Sequence, residues 1–316
     1  MRAAESGAAS PSRAALTEYD LGTVLSLDPL PAGSPAVRKV TSSSGSYLLK
    51  PAHRGADVDL QARVAPLLAS RGIRQPRIVP TAGGALVSSA GYFLQEFLPG
   101  AALLDPAPLQ VTAAMRHIAG YLHALGQLPV SYQPELSSVW VRVTDPDFLA
   151  GELPGLLSRY RLPGGDAAAL GQYLGQSRSA LAGLPRQLVH GDIGPDNVLM
   201  NDTEVVAVID FTPHLLPAVL AACTALYWYH VHGKARPVTA QLTASFAAMN
   251  AVRPWTAAEH VALAAGLAWE ALRRIATPLE LARERHEAPG PSVAPRLAAL
   301  RTLVHLLPEL GAELIC

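Results

Sequence analysis

The residues of this chain that could do chemistry are concentrated in residues 188–211. An apolar run there ends in the tripeptide His190-Gly-Asp192. Asn197 follows five positions after Asp192, and Asp210 follows thirteen positions after Asn197. Two carboxylates and an amide at one loop supply hard oxygen atoms that suit Mg²⁺, together with a group that could accept a proton. The spacing therefore predicts a metal-assisted catalytic site.

A polar turn at residues 201–204 separates two apolar, β-rich runs within the same stretch. Asn, Asp and Thr in such a turn are typical of a hairpin. The hairpin would fold the second run back, so that Asp210 lies near Asp192 and Asn197. A purely structural strand-turn-strand hairpin with polar turn residues is the alternative interpretation.

These motifs resemble those of the aminoglycoside phosphotransferase and choline kinase group of small-molecule kinases, which are relatives of the protein kinases. The match is carried by His190, Asp192, Asn197 and Asp210, the last within Ile209-Asp210-Phe211 at the kinase spacing. The resemblance implies that Asp192 takes the proton of the acceptor hydroxyl or orients that hydroxyl, with His190 in the same catalytic loop. It also implies that Asn197 and Asp210 hold the Mg²⁺ ions that bridge the nucleotide phosphates.

The length and composition favour two lobes or domains around a sizeable core. A chain of 316 residues is long for one compact domain, and 50% hydrophobic residues can bury a sizeable core. Lys plus Arg equals Asp plus Glu at 25 each, so no overall field attracts nucleic acid or an acidic membrane.

Neither the cysteines nor the apolar segments point to export or to a membrane. Cys223 and Cys316 give no disulfide framework, which fits a reducing cytoplasm. The N-terminus has no apolar core typical of a signal peptide. Prolines and histidines interrupt the longest uncharged stretch, residues 211–233, so a buried helix is favoured over a membrane span. We expect a cytoplasmic protein whose partner is a small molecule.

The N-terminal third has a β-rich pattern. Residues 1–16, rich in Ala and Ser, predict a loose tail. From Tyr19 onward, three short β runs separated by Gly, Ser and Pro predict an antiparallel meander. Residues 57–71 have the periodicity of a helix, and residues 92–98 form an apolar strand before the breaker pair Pro99-Gly100.

The resemblance gives these elements ATP-binding roles. The turn that holds Ser34 would cover the phosphates, and Lys50 on the third strand would contact them. Gln61 stands on the helix where the family carries a glutamate that pairs with this lysine; an amide can accept a hydrogen bond but cannot neutralise the charge. The backbone C=O of Glu96 and N–H of Leu98 would bind the adenine edge. The alternatives are a solvent-facing lysine and a purely structural strand.

Helical patterns dominate beyond Gly100. An aromatic cluster in residues 227–232 could line an acceptor pocket or pack in the core. Thr256 and Glu259 fit a capping box that opens a helix through Ala276.

Two charged residues on that late helix are candidates for the border of the acceptor pocket. Glu270 and Arg273 are three positions apart, and a solvated ion pair is the favoured alternative for them. Many members of the resembled family carry a downstream Gly-x-Pro-x-x-Asp run whose aspartate braces the catalytic loop. This chain lacks that acidic residue, so the brace must differ or be absent.

We therefore expect an α+β, bilobal protein-kinase-like fold. A small antiparallel-sheet N-lobe at residues 17–99 would follow the tail, and a larger, mainly helical C-lobe would occupy residues 100–316. The predicted function is ATP- and Mg²⁺-dependent transfer of the γ-phosphate to a hydroxyl of a small molecule: a sugar, an amino alcohol, another metabolite or an antibiotic. The alternative is a catalytically weak or inactive, pseudokinase-like nucleotide-binding regulator, which Gln61 and the missing aspartate favour.

Overall fold

The structure is a computed structural model that describes residues 11–30, 36–102, 104–129, 138–234 and 239–314. Two compact units divide the chain: Met1–Gly100 with Val206–Ile209, and Ala101–Val205 with Asp210–Cys316. The first unit holds an antiparallel sheet and the second is mainly helical. The α+β class predicted from the sequence is confirmed.

The first unit is built on a five-stranded antiparallel sheet. Its elements are α1 (Pro11–Leu16), β1 (Val24–Pro29), β2 (Arg38–Ser42), β3 (Gly45–Pro51), α2 (Gly55–Ala69), β4 (Ile78–Val79) and β5 (Tyr92–Glu96). The strand order is β1-β2-β3-β5-β4, so the predicted three-stranded meander is confirmed. Val40, Leu49 and Leu94 from neighbouring strands are fully buried and form the centre of its core.

The helix α1 differs from the loose tail predicted for this part of the chain. Ala15 and Leu16 are buried and join the core that Val40 and Leu49 form. Burial of these apolar side chains stabilises the short helix, although its Ala- and Ser-rich composition gave no clear periodicity. The rest of the predicted tail, residues 1–10, lies outside the described residues.

The second unit is mainly helical and carries two small sheets. The elements after Gly100 are β6 (Ala101–Ala102), α3 (Pro108–Gly126), α4 (Ser138–Thr144), α5 (Pro146–Gly151), α6 (Leu153–Arg159), α7 (Gly165–Gln176), α8 (Arg178–Ala182), β7 (Arg186–His190), β8 (Val198–Asn201), β9 (Glu204–Val208), β10 (Pro213–Pro217), α9 (Ala218–His230), α10 (Thr239–Asn250), α11 (Ala257–Arg285) and α12 (Val293–Leu314). Residues 206–208 of β9 belong to the first unit. The sheets have the orders β10-β7 and β6-β8-β9. The predicted hairpin is confirmed as β8–β9, with Asp202 at φ 50° in its turn.

The 29-residue helix α11 organises the second unit. Its first turn has the predicted capping box, in which the Thr256 hydroxyl accepts from the Glu259 amide. The predicted end at Ala276 is wrong, because the helix continues through Pro278. A proline has no N–H for the carbonyl one turn earlier. A guanidinium on α12 fills that gap: Nη1 of Arg296 donates to the carbonyl of Arg274 at 2.8 Å.

The long uncharged stretch contains β10 and α9, and nearly every residue of α9 is buried. This confirms the predicted buried helix. None of the helices in the described ranges has both the length and the apolarity that crossing a membrane requires.

Burial of His230 makes the stability of the protein sensitive to acid. This side chain at the end of α9 is 6% exposed, and its Nε2 is 2.8 Å from the Ser245 hydroxyl of α10. Burial, aided by the charge of Lys234, lowers the pKa of His230 to about 4. Between the ordinary histidine pKa and pH 4, His230 therefore binds a proton in the unfolded chain but not in the folded chain.

We expect this histidine to destabilise the protein progressively as the pH falls from about 6.5 to 4, by up to about 3 kcal/mol. Chemical denaturation of wild type and His230→Gln between pH 7.5 and 4 measures the effect, and the variant should lose less stability over that range. The exposed histidine His305 on α12 provides the control, because His305→Gln should keep the wild-type slope. Parallel slopes for wild type and His230→Gln would contradict the assignment.

Candidate active site

The pairing of β7 with β10 brings the two sequence motifs together. His190, the last residue of β7, lies opposite Pro213 of β10. The ladder continues one step beyond the strands, because the amide of Gly191 donates to the carbonyl of Thr212 at 2.8 Å. The His-Gly-Asp turn and the segment after Asp210 are therefore fixed side by side within the second unit.

His190 supports this turn from the inside. It is fully buried, and the rings of Tyr121 and Phe211 meet it edge-on at centroid distances of 6.3 and 5.7 Å. Its Nδ1 accepts a hydrogen bond from the amide of Asp192 at 3.1 Å. Gly191 is required between them, because a Cβ there would collide with the ring of His214. The histidine thus fixes the position of Asp192.

Asn197 closes the loop that begins at Asp192. Its side-chain Nδ2 donates to the carbonyl of Asp192 at 2.7 Å, and its own amide donates to the carbonyl of Gly194 at 3.0 Å. The first bond uses the donor of the amide group and orients the side chain. The amide oxygen is the atom that a hard cation would use.

Asp210 stands exposed in a left-handed backbone conformation, with φ 55°. Asp is one of the few residue types that tolerate this region. The hydroxyl of Thr212 donates to the carbonyl of Asp210 at 3.1 Å and stabilises the bend. Asp210 thus occupies a bend in the segment between β9 and β10.

Three charged residues of α11 hold the Asp192 turn, and we call Glu270, Arg273 and Arg274 the α11 clamp. Nη1 of Arg274 is 2.7 Å from Oδ1 of Asp192, and Nη2 of Arg273 donates to the carbonyl of Gly191 at 3.3 Å. Glu270 joins the two arginines, with contacts of 2.7 Å to Arg273 and 2.5 Å to Arg274.

The predicted ion pair between Glu270 and Arg273 is thus confirmed, but the solvated face expected for it is wrong. Their side chains are 0% and 2% exposed. The residue that contacts Asp192 is Arg274, which sequence reasoning did not select. The available signal was its position four residues after Glu270, which puts these two side chains on one face of the helix.

The charges around the turn shift the pKa values of its carboxyl groups. Burial pushes the pKa of Asp192 upward, but the charge and hydrogen bond of Arg274 outweigh it, and the net pKa lies below the ordinary value. Asp192 is therefore ionised at neutral pH. Burial raises the pKa of Asp196, and the charges of Asp192 and Asp210 contribute to the rise. The three carboxyl groups thus share one electrostatic environment.

Asp196 also lines a cavity of about 480 Å³ in the second unit. Sequence reasoning missed this residue, although it directly precedes Asn197 in the motif. The other lining side chains include Pro195, Trp228, Tyr229, His232 and Lys234. The aromatic cluster therefore divides: Tyr227 is fully buried in the core, whereas Trp228 faces the cavity beside the catalytic loop.

The predicted nucleotide-binding residues belong to the first unit. Lys50 is a half-buried residue of β3 opposite Phe93. Gln61 is buried on α2, and its amide nitrogen donates to the carbonyl of Pro76 at 3.4 Å. The hydrogen bond between Lys50 and Gln61 stays a prediction.

The remaining two predicted positions of this unit lie at the end of β5. The amide of Glu96 donates to the carbonyl of Arg77 at 2.9 Å, and its carboxylate pairs with Arg74 at 3.0 Å. Leu98 is buried. Ser34 lies outside the described residues.

Two sequence comparisons find relatives of this chain. A model of the phosphotransferase enzyme family (APH) matches residues 26–216, more than half of the chain. A homoserine kinase of Methylobacillus flagellatus is 29% identical over 273 residues, which cover 83% of this chain and 79% of the relative.

Solved structures share the fold over almost the whole length. An aminoglycoside phosphotransferase from Alicyclobacillus acidocaldarius superposes with a TM-score of 0.65 at 21% identity, covering 98% of each chain. An amicoumacin kinase in complex with AMP-PNP and Ca²⁺ superposes with a TM-score of 0.64 at 14% identity, covering 95% of this chain and 96% of its own. At these identities the likeness shows the fold, which is the protein-kinase-like fold expected from the motifs.

Proposed function

Because this chain belongs to the phosphotransferase enzyme family, we propose that it transfers the γ-phosphoryl group of ATP, in the presence of Mg²⁺, to a hydroxyl of a small molecule. In this reaction the acceptor oxygen forms a bond to the γ-phosphorus, and the bond from that phosphorus to the β–γ bridging oxygen breaks. ADP leaves with the bonding electrons, and the hydroxyl proton passes to the Asp192 carboxylate. A cytoplasmic location is part of the same proposal.

The observation that carries the proposal is the geometry of the Asp192 turn. The carboxylate is ionised, and 44% of the Asp192 side chain is exposed. Arg274 holds the carboxylate, and the ring of His190 accepts a hydrogen bond from the Asp192 amide. A carboxylate whose pKa lies below the ordinary value is a weak base. Since phosphoryl transfer passes through a loose transition state, orienting the hydroxyl contributes more than removing its proton early.

Asn197 and Asp210 are the residues that would hold Mg²⁺. An amide oxygen and a carboxylate are hard ligands of the kind that this ion prefers, and nucleotide phosphates would supply further oxygen ligands. Among the described residues no group of three or more His, Cys, Asp or Glu side chains is placed to hold a metal on its own. When bound, the ion neutralises charge on the phosphate oxygens.

On the nucleotide side, the residues we assign are those in the first unit. Lys50 would contact the phosphates, with Gln61 as its neutral hydrogen-bond partner. The backbone of Glu96 and Leu98 would bind adenine, and the turn at Ser34 would cover the phosphates. AMP-PNP in the amicoumacin kinase supports the choice of an adenine nucleotide.

For the acceptor, the homoserine kinase relative favours a hydroxylated amino acid. A coupled assay of ADP release tests this with L-homoserine, 3-aminopropan-1-ol, choline and an aminoglycoside, each with and without Mg²⁺. We expect Mg²⁺-dependent ADP release that requires an acceptor and is fastest with L-homoserine.

A nucleotide-binding regulator without phosphotransfer is the second candidate, because Gln61 cannot neutralise Lys50 as a glutamate would. That candidate predicts AMP-PNP binding but no acceptor-dependent release of ADP. The same assay separates the two, provided that nucleotide binding is measured in parallel.

The metal assignment predicts that Asp210→Asn loses the Mg²⁺-dependent part of its affinity for AMP-PNP. Asparagine tolerates the left-handed backbone at this position, so the change removes the charge without straining the chain. We expect an affinity loss of roughly 10–100-fold with Mg²⁺ and little change without it, by calorimetry.

Asp202→Asn is the matched control, because Asp202 is also an exposed, left-handed aspartate, at φ 50° in the β8–β9 turn. It should bind like the wild type. Equal gains of affinity from Mg²⁺ in Asp210→Asn and wild type would exclude Asp210 as a ligand.

A further inference from the structure

Three guanidinium groups gather beside Asp192, and they outnumber the carboxylates that pair with them. Arg273 and Arg274 of α11 share Glu270, and Arg274 also pairs with Asp192. Arg296 of α12 comes close enough for its Nη1 to donate to the carbonyl of Arg274. Within the described ranges, Glu270 and Asp192 are the carboxylates bonded to this group. The cluster therefore carries one excess positive charge.

The position of Arg296 is fixed by a defect in α11. Pro278 offers no N–H to the carbonyl of Arg274, and Arg296 supplies the missing donor at 2.8 Å. The bond uses one N–H of a side chain with five donors. Arg296 is half-buried, so the remaining donors lie beside Arg274 at the edge of the protein interior.

The guanidiniums of Arg274 and Arg296 repel each other, and one donor of the cluster has no hydrogen-bond partner among the described residues. Burial and the charge of Arg274 lower the pKa of Arg296, and burial and both arginines lower the pKa of His232. Two guanidiniums that repel each other in a half-buried place cost free energy unless an anion offsets them. In addition, Nη2 of Arg274 is buried and has no hydrogen-bond partner among the described residues.

The cluster adjoins the cavity of about 480 Å³ that opens beside the catalytic loop. Trp228 connects them: its ring lines the cavity, and the guanidinium of Arg274 lies over it at 4.8 Å. His232 lines the same cavity and meets the Trp228 ring at 4.5 Å. Asp196 provides a carboxylate in the cavity wall. Asp196 and Lys234 thus border one small-molecule-sized space, and Arg274 lies against the ring of Trp228 in its wall.

We propose that Arg274 and Arg296 form a subsite for the carboxylate of the phosphate acceptor, with Asp196 placed to bind its ammonium group. The acceptor class is then a hydroxylated, zwitterionic amino acid, whose hydroxyl reaches Asp192 while its carboxylate binds the two guanidiniums. This subsite rests on the proposed function, because it specifies the acceptor of that reaction. Alcohols without a carboxylate lack the group that the cluster recognises.

The test uses two probes that differ only in the carboxylate. L-Homoserine and 3-aminopropan-1-ol share the hydroxyl, the amine and the chain between them. Calorimetry with AMP-PNP and Mg²⁺ present measures the affinity of each for the full-length protein, and the ADP assay gives kcat/KM. We expect the wild type to favour L-homoserine by roughly 10–100-fold, the usual contribution of a charge-assisted hydrogen bond.

Arg296→Gln should reduce this preference about tenfold or more, mainly through a higher Kd and KM for L-homoserine. Arg296→Lys keeps the charge but not the planar fork, and it should retain part of the preference. Arg301→Gln changes an arginine on the same helix that pairs with Asp166 and is 71% exposed, and it should leave the preference at the wild-type value. Thermal unfolding establishes that each variant is folded.

Equal affinity of wild type for the two probes overturns the subsite, and so does an unchanged preference in folded Arg296→Gln and Arg296→Lys. A different result would contradict the proposed function: no hydroxyl compound would stimulate ADP release. A carboxylate preference in binding without phosphotransfer would keep the subsite and reject the kinase reaction. Phosphotransfer to both probes at equal rates would keep the kinase reaction and reject the subsite.

Discussion

Replacing Asp192 with asparagine is expected to lower kcat by about 10²–10⁴-fold, the usual contribution of a positioned acid–base group. The variant keeps the shape of the side chain and an oxygen for Arg274, which holds the carboxylate at 2.7 Å. It loses the negative charge that attracts the hydroxyl proton. Alanine at this position is less informative, because it would also leave the buried guanidinium of Arg274 without its partner.

Steady-state kinetics with L-homoserine and AMP-PNP binding by calorimetry measure the effect of Asp192→Asn, and nucleotide affinity should stay near the wild-type value. Asp196→Asn is the matched control in the same loop. This residue faces the acceptor cavity, so its change should raise the KM for the acceptor more than it lowers kcat. Normal turnover by folded Asp192→Asn would show that the carboxylate does not act on the hydroxyl.

The parts of this site that could be predicted from the sequence are those fixed over short distances along the chain. The His-Gly-Asp turn, Asn197 and the hairpin before Asp210 all lie within residues 188–211, where spacing and turn residues determine the geometry. The capping box at Thr256 is equally local. The β meander of the first unit followed from runs separated by Gly, Ser and Pro.

The parts that could not be predicted depend on contacts between distant residues. Arg273 reaches the carbonyl of Gly191, 82 positions earlier, and nothing near either residue in the sequence indicates this contact. Whether Glu270 is buried or solvated depends on the helices that surround α11. The same burial lets α11 continue past Pro278, because packing and the bond from Arg296 compensate for the missing backbone donor.

These long-range contacts also explain how the loop can be held without the acidic residue that the resembled family carries downstream. The α11 clamp contacts the turn twice, at the carbonyl of Gly191 and at the carboxylate of Asp192. Glu270 is the centre of the clamp, because Arg273 donates to both of its carboxylate oxygens and Arg274 donates to Oε1. The brace of the turn therefore comes from a buried ion-pair network.

We expect Glu270→Gln to destabilise the protein by about 3–5 kcal/mol, because it leaves two buried guanidiniums with too little negative charge. The glutamine is nearly isosteric, so lost packing contributes little. Thermal unfolding and denaturant titration measure the loss, and kcat should fall as well, since Arg273 and Arg274 lose the group that positions them against the turn.

Adding Arg273→Met to Glu270→Gln removes one of the unbalanced charges. The double variant should therefore be more stable than the sum of the two single losses predicts.

Glu284→Gln gives the matched control on the same helix. Glu284 pairs with Arg142 at 3.3 Å, but its side chain is 41% exposed, so the change should cost no more than about 1 kcal/mol and leave kcat unaltered. A large loss for Glu270→Gln beside a small one for Glu284→Gln would establish that burial sets the strength of this network. If both variants lose the same small amount of stability, or if Glu270→Gln keeps full activity, the clamp does not hold the catalytic turn.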